Sequence, residues 1–197
     1  FFCIHGYDSD GASSAGANPT AWDPWVDGWQ TSPAPGLPPN VMGFSAFGKK
    51  SWMTETSGEN AAWLHPATGF PGNGGWSIAL KIHQALTAGL ESAWLYWTFT
   101  ESDNNGQVTN YALTNQANGV TAPKYVAAKH FFKYIRPDSR RVLTMVGGSN
   151  ELLASAYVHD VDGTLTVVLV NTSPSNRTAN ISLTGTTVLP DFIETYT

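Results

Sequence analysis

The sequence has one cysteine and little charge. Cys3 has no second cysteine to pair with, which excludes an internal disulfide, and we expect a buried, inert thiol. Charged residues make up 13% of the 197 residues, and the net charge is -5. Because phosphate binding requires a basic surface, this balance argues against nucleic acid as a partner and is compatible with a neutral polymer.

The sequence also lacks a long apolar run, a signal peptide and a metal-ligand motif. No run approaches the roughly 18 to 20 apolar residues that span a bilayer, so no membrane contact is predicted. The chain opens without Met on Phe1-Phe2-Cys3-Ile4, which is typical of a strand interior, and we expect the C-terminal part of a longer protein. The five His are scattered and no nucleotide-binding loop is present, so neither metal nor cofactor is predicted.

Tryptophan, by contrast, is abundant, and all eight Trp lie between positions 22 and 97. Trp22, Trp25 and Trp29 are spaced by three and four within a Gly- and Pro-rich segment from Asp8 to about Asn40, so a short helical turn would align their rings. Two interpretations stay open. Trp22 and Trp25 could stack on sugar rings as substrate contacts, or the three rings could form a small core that pins the segment.

The first part of the chain alternates between predicted strands and helices. Strands are expected at 1–7, 51–55 and 92–99, and helices at 76–88 and from Pro123 to just before Pro137. Such alternation is typical of a parallel sheet. Residues 1–139 are therefore predicted to form part of a (β/α)8 barrel.

Each predicted helix has an expected apolar face. Ile78, Ile82, Ala85 and Leu86 define the face of the first, with Gly89 as its C-terminal stop. Tyr125, Ala128, Phe132 and Ile135 define the face of the second.

The pattern changes after about Val142 to short strands separated by turn signals. Leu152–Val158 and Leu165–Val170 flank Asp162-Gly163, which predicts a β-hairpin. With further candidate strands at 179–183 and 192–196, residues 140–197 are predicted to form a small antiparallel β-sandwich. Asn171, Asn176 and Asn180 each begin an Asn-x-Ser/Thr triplet, which accepts a glycan in a secreted eukaryotic protein or occurs by chance.

Glu55 is the best candidate for chemistry. It ends a predicted buried strand and precedes Gly58, the position at which barrel enzymes carry catalytic side chains. Glycoside hydrolysis with retention uses one carboxylate to attack the anomeric carbon and a second carboxyl group to protonate the leaving oxygen. Glu55 is the expected nucleophile. Tyr7 is expected to orient its carboxylate through a hydrogen bond, and His5 lies on the same strand face.

Trp97 and Trp94 are the expected sugar contacts at the end of the third strand. Aromatic faces stack well on pyranose rings, so Trp97 would form the platform beneath the bound sugar, with Trp94 packed behind it.

Several motifs together resemble the C-terminal half of family 30 glycoside hydrolases. They are, in order, Ile4-His5-Gly6-Tyr7, Trp52-Met53-Thr54-Glu55, Ala93-Trp94-Leu95-Tyr96-Trp97, and Lys124-Tyr125 followed by Phe131-Phe132-Lys133-Tyr134-Ile135-Arg136-Pro137. The resemblance implies a retaining enzyme with a βα barrel and an attached β-sandwich, of which strands six to eight are present. It also implies that Glu55 is the nucleophile, that His5 and Tyr7 follow strand six, and that Trp97 lines the innermost sugar subsite.

The sequence departs from the family at the acid/base residue. The family places that Glu in an Asn-Glu pair after strand four, and no strand of this chain corresponds to it. Asn150-Glu151 is expected to be a turn, and Glu59 and Glu101 are expected to be loop or rim residues. The resemblance therefore predicts an N-terminal half of the same protein as a partner, without which the chain is inactive.

The resemblance does not settle the substrate. Family members act on glucuronoxylan, β-1,6-galactan, β-1,6-glucan or glycosylceramides. The absence of Arg before position 136 argues against an acidic sugar. The Trp-rich segment and Thr54-Glu55-Thr56-Ser57-Gly58-Glu59 are most similar to the galactanase branch, so β-1,6-galactan is predicted. A xylanase of the same family and a non-catalytic carbohydrate-binding fragment are the alternatives. Such a polymer substrate implies secretion.

Overall fold

A computed structural model describes residues 1–5, 19–29, 40–57, 75–106, 109, 111–183, 186–187 and 193–195, with backbone alone for 75–77 and 186–187. The chain forms two compact units, Phe1–Phe131 and Phe132–Thr197. The sequence predicted a boundary between residues 139 and 140. In the described ranges, no helix is long and apolar enough to cross a bilayer.

In its described residues, the first unit combines short strands with three α-helices and two 3-10 helices. In chain order it contains β1 (Phe2–Ile4), a 3-10 helix at Pro19–Trp22, α1 (Asp23–Asp27), β2 (Gly28–Trp29), β3 (Val41–Met42), a 3-10 helix at Phe44–Phe47, β4 (Ser51–Met53), α2 (Gly75–Thr87), β5 (Glu91–Trp94), β6 (Thr100–Glu101), β7 (Thr114–Asn115) and α3 (Pro123–Phe132), which ends at the boundary.

Strands β1, β4 and β5 form a parallel sheet in the order β1-β4-β5, as the alternation of strands and helices predicts. Ile4 is opposite Met53, and Ser51 is opposite Glu91. The predicted strand at 92–99 is in fact divided between two ladders. The Thr98 amide donates to the Tyr111 carbonyl at 2.9 Å, so the chain leaves the parallel sheet there and continues into β6 beside β7.

A core of apolar side chains lies between the sheet, α1 and α2. Its buried members are Ile4, Trp22, Val26, Phe44, Met53 and Ala85. At the end of α2 the backbone of Gly89 lies against the Trp22 ring, and an added Cβ would lie 2.6 Å from Trp22 Cε3. Glycine is therefore required at position 89 because the Trp22 ring packs against its backbone. The left-handed conformation that follows the helix is adopted by the next residue, Leu90, whose φ is 52°.

The sequence predicted the positions of the two helices better than it predicted which of their side chains are buried. Helix α2 begins and ends one residue before the predicted range, but its described side chains from Ile78 to Ala85 are all buried, including Lys81, His83 and Gln84. The predicted face of α3 is correct at Ala128 and wrong at Phe132. The buried side chains of α3 are Lys124, Ala127, Ala128 and Phe131, while Phe132 is exposed. Because Lys124 and Phe131 are buried in place of Tyr125 and Phe132, the buried face of α3 lies one residue earlier than predicted.

The second unit contains β8 (Arg140–Val142), β9 (Leu152–His159), β10 (Thr164–Asn171), β11 (Ser182–Leu183) and β12 (Thr186–Thr187). Strands β9 and β10 form the hairpin that the Asp162-Gly163 signal predicts, with His159 opposite Thr164 and with Gly163 in the left-handed region at φ 63°. Strand β8 extends this antiparallel sheet, and β11 pairs with β12 in a separate ladder. The predicted sandwich as a whole stays a prediction.

Candidate active site

The parallel sheet brings His5 and Glu55 together at its carboxyl edge. His5 follows β1 directly and Glu55 lies two residues after β4. The Thr54 amide donates to the Ile4 carbonyl at 2.9 Å, which continues the pairing of β1 and β4 just beyond the strand ends. His5 Nδ1 consequently lies 4.0 Å from Glu55 Oε1.

Both side chains of this pair are accessible. The side chain of His5 is 51% exposed and that of Glu55 is 35% exposed. A separation of 4.0 Å is longer than a hydrogen bond, so the contact is electrostatic and depends on protonation of the imidazole. An accessible carboxylate beside a histidine can attack an electrophilic carbon, whereas a buried carboxylate could not reach a ligand.

A backbone hydrogen bond places Trp97 next to the segment that carries Glu55. Its amide donates to the Thr56 carbonyl at 2.7 Å, so Trp97 is adjacent to the residue that follows Glu55. Its side chain is 54% exposed, which leaves ring surface for a ligand. The peptide bond between Trp97 and Thr98 is cis.

Trp94 is less accessible than Trp97. Its ring stacks on Tyr96 with centroids 5.8 Å apart and packs against the core cluster. Trp94 is therefore partly buried between Tyr96 and the core, and its predicted sugar contact stays a prediction.

The predicted sugar contact at Trp22 requires correction, and that at Trp25 stays a prediction. Trp22 has no exposed surface and belongs to the core, so its ring cannot stack on a ligand. The indole nitrogen of Trp25 donates to Ser51 Oγ at 2.8 Å and to Glu91 Oε1 at 3.1 Å, and its ring packs edge-on against Trp29. Of the two interpretations of these Trp, the small core describes the structure.

The remaining predicted positions have other partners or lie outside the described residues. Tyr7 and Glu59 are not among the described residues. Glu101 accepts a hydrogen bond from Thr109 Oγ1 on the β6 side of the unit. Asn150 and Glu151 form a turn in the second unit, as predicted, and Glu151 forms an ion pair with Arg177. The exposed position of Cys3 contradicts the expected burial, because its side of β1 faces away from the core.

Glu91 is a buried carboxyl group that sequence reasoning missed. It begins β5 opposite Ser51, so it lies at the amino edge of the sheet, away from Glu55. Burial raises its pKa to about 7, and hydrogen bonds donated by Ser51 at 2.8 Å and by Trp25 oppose the rise. These contacts fasten α1 to the sheet, a structural role. Nothing in the local sequence distinguishes Glu91 from a surface Glu.

Lys124 is a second buried ionisable group that was missed. Burial lowers its pKa to about 8, and the charge of Lys81 lowers it further. Its Nζ lies 5.5 Å from the centroid of the Tyr96 ring, a cation–π contact with the residue before Trp97. Within the described ranges, no cluster of three His, Cys, Asp or Glu side chains could hold a metal ion.

Solved structures with a similar fold identify the architecture. The described fold aligns with the catalytic domain of family 30 xylanase C from Talaromyces cellulolyticus at a TM-score of 0.53 and 24% identity, over 73% of this chain and 30% of that one. The fold is that of part of a family 30 catalytic domain. Family 30 catalytic domains are βα barrels, in agreement with the parallel sheet and its helices. At this identity the likeness concerns the fold alone.

Two further family 30 structures align at lower scores. An endoxylanase from Clostridium papyrosolvens aligns at a TM-score of 0.46 and 23% identity, over 64% of this chain and 28% of that one. The subfamily 8 xylanase Xyn30A from Clostridium acetobutylicum aligns at 0.49 and 22%, over 80% and 38%. The aligned part of this chain thus covers well under half the length of each of these three proteins. No protein-family model matches the sequence.

Proposed function

We propose that the chain is the nucleophile-bearing part of a retaining family 30 glycoside hydrolase that acts on a β-linked polysaccharide. The observation that carries the proposal is the accessible Glu55 carboxylate, 4.0 Å from His5 at the carboxyl ends of two adjacent parallel strands. In a βα barrel this edge carries the catalytic side chains.

In this mechanism Glu55 attacks the anomeric carbon of the bound sugar and the glycosidic bond to the leaving oxygen breaks. The product is a glycosyl ester of Glu55, which water then hydrolyses. His5 supplies a neighbouring imidazole, Tyr7 orients the carboxylate, and Trp97 presents its exposed ring to the apolar face of the sugar.

The acid/base carboxyl group belongs, in this proposal, to a segment of the protein outside these 197 residues. Glu101 and Glu151 are each engaged by other side chains, Thr109 and Arg177 respectively, which argues against either as the acid. The complete enzyme is proposed to be secreted, since a polysaccharide cannot enter the cell intact.

Xylan is the proposed substrate. The aligned family 30 protein with a TM-score above 0.5 is named a xylanase, which favours a β-linked xylose polymer. The sequence argument for β-1,6-galactan depended on the likeness of the Trp-rich segment and of residues 54–59 to the galactanase branch of the family. We therefore keep galactan as the second candidate substrate.

Labelling with an activated fluorosugar tests the proposal on the chain as it exists. A 2,4-dinitrophenyl 2-deoxy-2-fluoro-β-xylobioside carries a leaving group that departs without a general acid, so Glu55 alone suffices to form the ester. We expect one sugar adduct per chain, located by mass spectrometry on Glu55. The corresponding galactoside is run in parallel to rank the two substrates.

Glu101→Gln is the matched control, because it removes another glutamate of the same unit and should leave labelling unchanged. Glu55→Gln should abolish it. Labelling at another carboxylate would overturn the assignment of Glu55. Oligosaccharide binding that survives Glu55→Gln, with no labelling of the unmodified chain by either sugar, would instead favour a carbohydrate-binding fragment.

A further inference from the structure

The three Asn-x-Ser/Thr triplets of the chain fall in one segment of the second unit but differ in their surroundings. Asn171 closes β10, and both polar atoms of its side chain make hydrogen bonds. Its Nδ2 donates to the Ser175 carbonyl at 2.8 Å, and its Oδ1 accepts from the amide and hydroxyl of Ser173 at 3.1 and 2.9 Å. A sugar on Nδ2 would crowd this loop.

Asn176 is presented to solvent by the same loop. On one side, the Ser175 carbonyl accepts the hydrogen bonds from Asn171 and from Ser173. On the other, the Arg177 guanidinium is held by Glu151 and Ser173. The Asn176 side chain is exposed and makes no hydrogen bond within the described part of the chain. The residues on either side of Asn176 are therefore anchored, while its own amide makes no hydrogen bond to the residues that the structure describes.

The third residue of each triplet distinguishes Asn176 further. Only the triplet Asn176-Arg177-Thr178 ends in Thr, whereas those of Asn171 and Asn180 end in Ser. Thr is stiffer at χ1 than Ser, so its hydroxyl is better ordered beside the acceptor amide. Asn180 is also exposed, but it lies only two residues before β11.

We propose that Asn176 carries an N-linked glycan on the secreted protein. In the reaction, Asn176 Nδ2 attacks C1 of a lipid-diphosphate-linked oligosaccharide. The C1–N bond forms, the C1–O bond to the diphosphate breaks, the lipid diphosphate leaves, and the amide gives one proton to solvent. The site lies on a surface loop, as such acceptors do in secreted proteins.

The test is expression of the full chain behind a secretion signal in yeast, followed by mass spectrometry before and after treatment with peptide N-glycosidase. We expect the secreted chain to lose a whole glycan on treatment, and Asn176 to become Asp. Fragmentation by electron transfer separates Asn171 from Asn176, which share the tryptic peptide Val142–Arg177.

Thr178→Ala and Thr178→Ser form the matched pair of variants at an exposed position. The first removes the acceptor triplet and should abolish the glycan, while the second keeps the hydroxyl and should retain it. Asn171→Gln should leave the mass of the released glycan unchanged. A secreted chain whose mass is unaffected by the glycosidase, or a glycan on Asn171 or Asn180 with none on Asn176, would overturn the proposal. Neither result bears on labelling of Glu55.

Discussion

At the scale of single residues, two glutamates of the parallel sheet have opposite surroundings. The Glu55 side chain lies at the carboxyl edge with about a third of its surface exposed, whereas Glu91 lies at the amino edge and is only 4% exposed. A carboxylate must be reachable to attack a substrate, and Glu55 alone of the two meets that condition. Glu91 instead joins Trp25 and Ser51 in a buried hydrogen-bonded group.

The raised pKa of Glu91 predicts a pH dependence of stability. Since its pKa rises from 4.5 to about 7 on folding, the folded state holds the proton more tightly than the unfolded state. The contribution of Glu91 to stability is complete below pH 4.5 and is lost as the pH rises through 7, by on the order of 3 kcal/mol. Urea unfolding between pH 4 and pH 8 measures this loss.

Glu91→Gln provides the control for that measurement, because the amide keeps an acceptor for Ser51 and Trp25 without an ionisable proton. The variant should lose less free energy of unfolding than the unmodified chain between pH 4.5 and pH 7. Equal losses in the two proteins would refute the assignment of the effect to Glu91.

At the scale of elements, local signals located helices and turns, but contacts with other elements decided which side of each was buried. Pro123 predicts the start of α3 correctly, since proline suits the first helical turn. The buried face was misassigned because Lys124 carries a charge, and charged residues are expected on the outside. Its stem is nevertheless buried, with the ammonium over Tyr96.

The junction of α2 and β5 gives a prediction at this scale. Gly89→Ala should destabilise the first unit by about 1 to 3 kcal/mol, because the new methyl group would overlap the Trp22 ring and the Ala85 carbonyl. Gly147→Ala is the control, since a Cβ at Gly147 meets nothing within 4 Å, and its effect should stay within about 0.5 kcal/mol. Thermal and urea unfolding measure both. Equal effects of the two substitutions would mean that the Trp22 contact is not tight.

At the scale of the whole molecule, the proposed separation of nucleophile and acid/base predicts an unusual substrate profile. The chain should cleave 2,4-dinitrophenyl β-xylobioside slowly and leave xylan intact, because only the aryl leaving group departs without an acid. Azide attacks the Glu55 ester without help from a general base, so it should raise the rate by roughly tenfold or more.

Release of dinitrophenolate, followed by its absorbance with and without azide, checks this prediction. Glu55→Gln is the control that should remove the azide effect. Hydrolysis of xylan by the unmodified chain at a rate insensitive to azide would show that an acid/base group is already present within it.

The sequence by itself determined the parallel sheet, the β-hairpin at Asp162-Gly163 and the candidate nucleophile, because these are predicted from local signals: hydrophobic runs, turn residues and the residue that ends a strand. Only the tertiary structure decided that Trp22 belongs to the core and that Trp25 packs against it, that Glu91 is buried and that Trp97 is exposed. Burial depends on which distant segments pack over a side chain. A Trp or a Glu has the same local signature in either environment, so its surroundings must be seen in three dimensions.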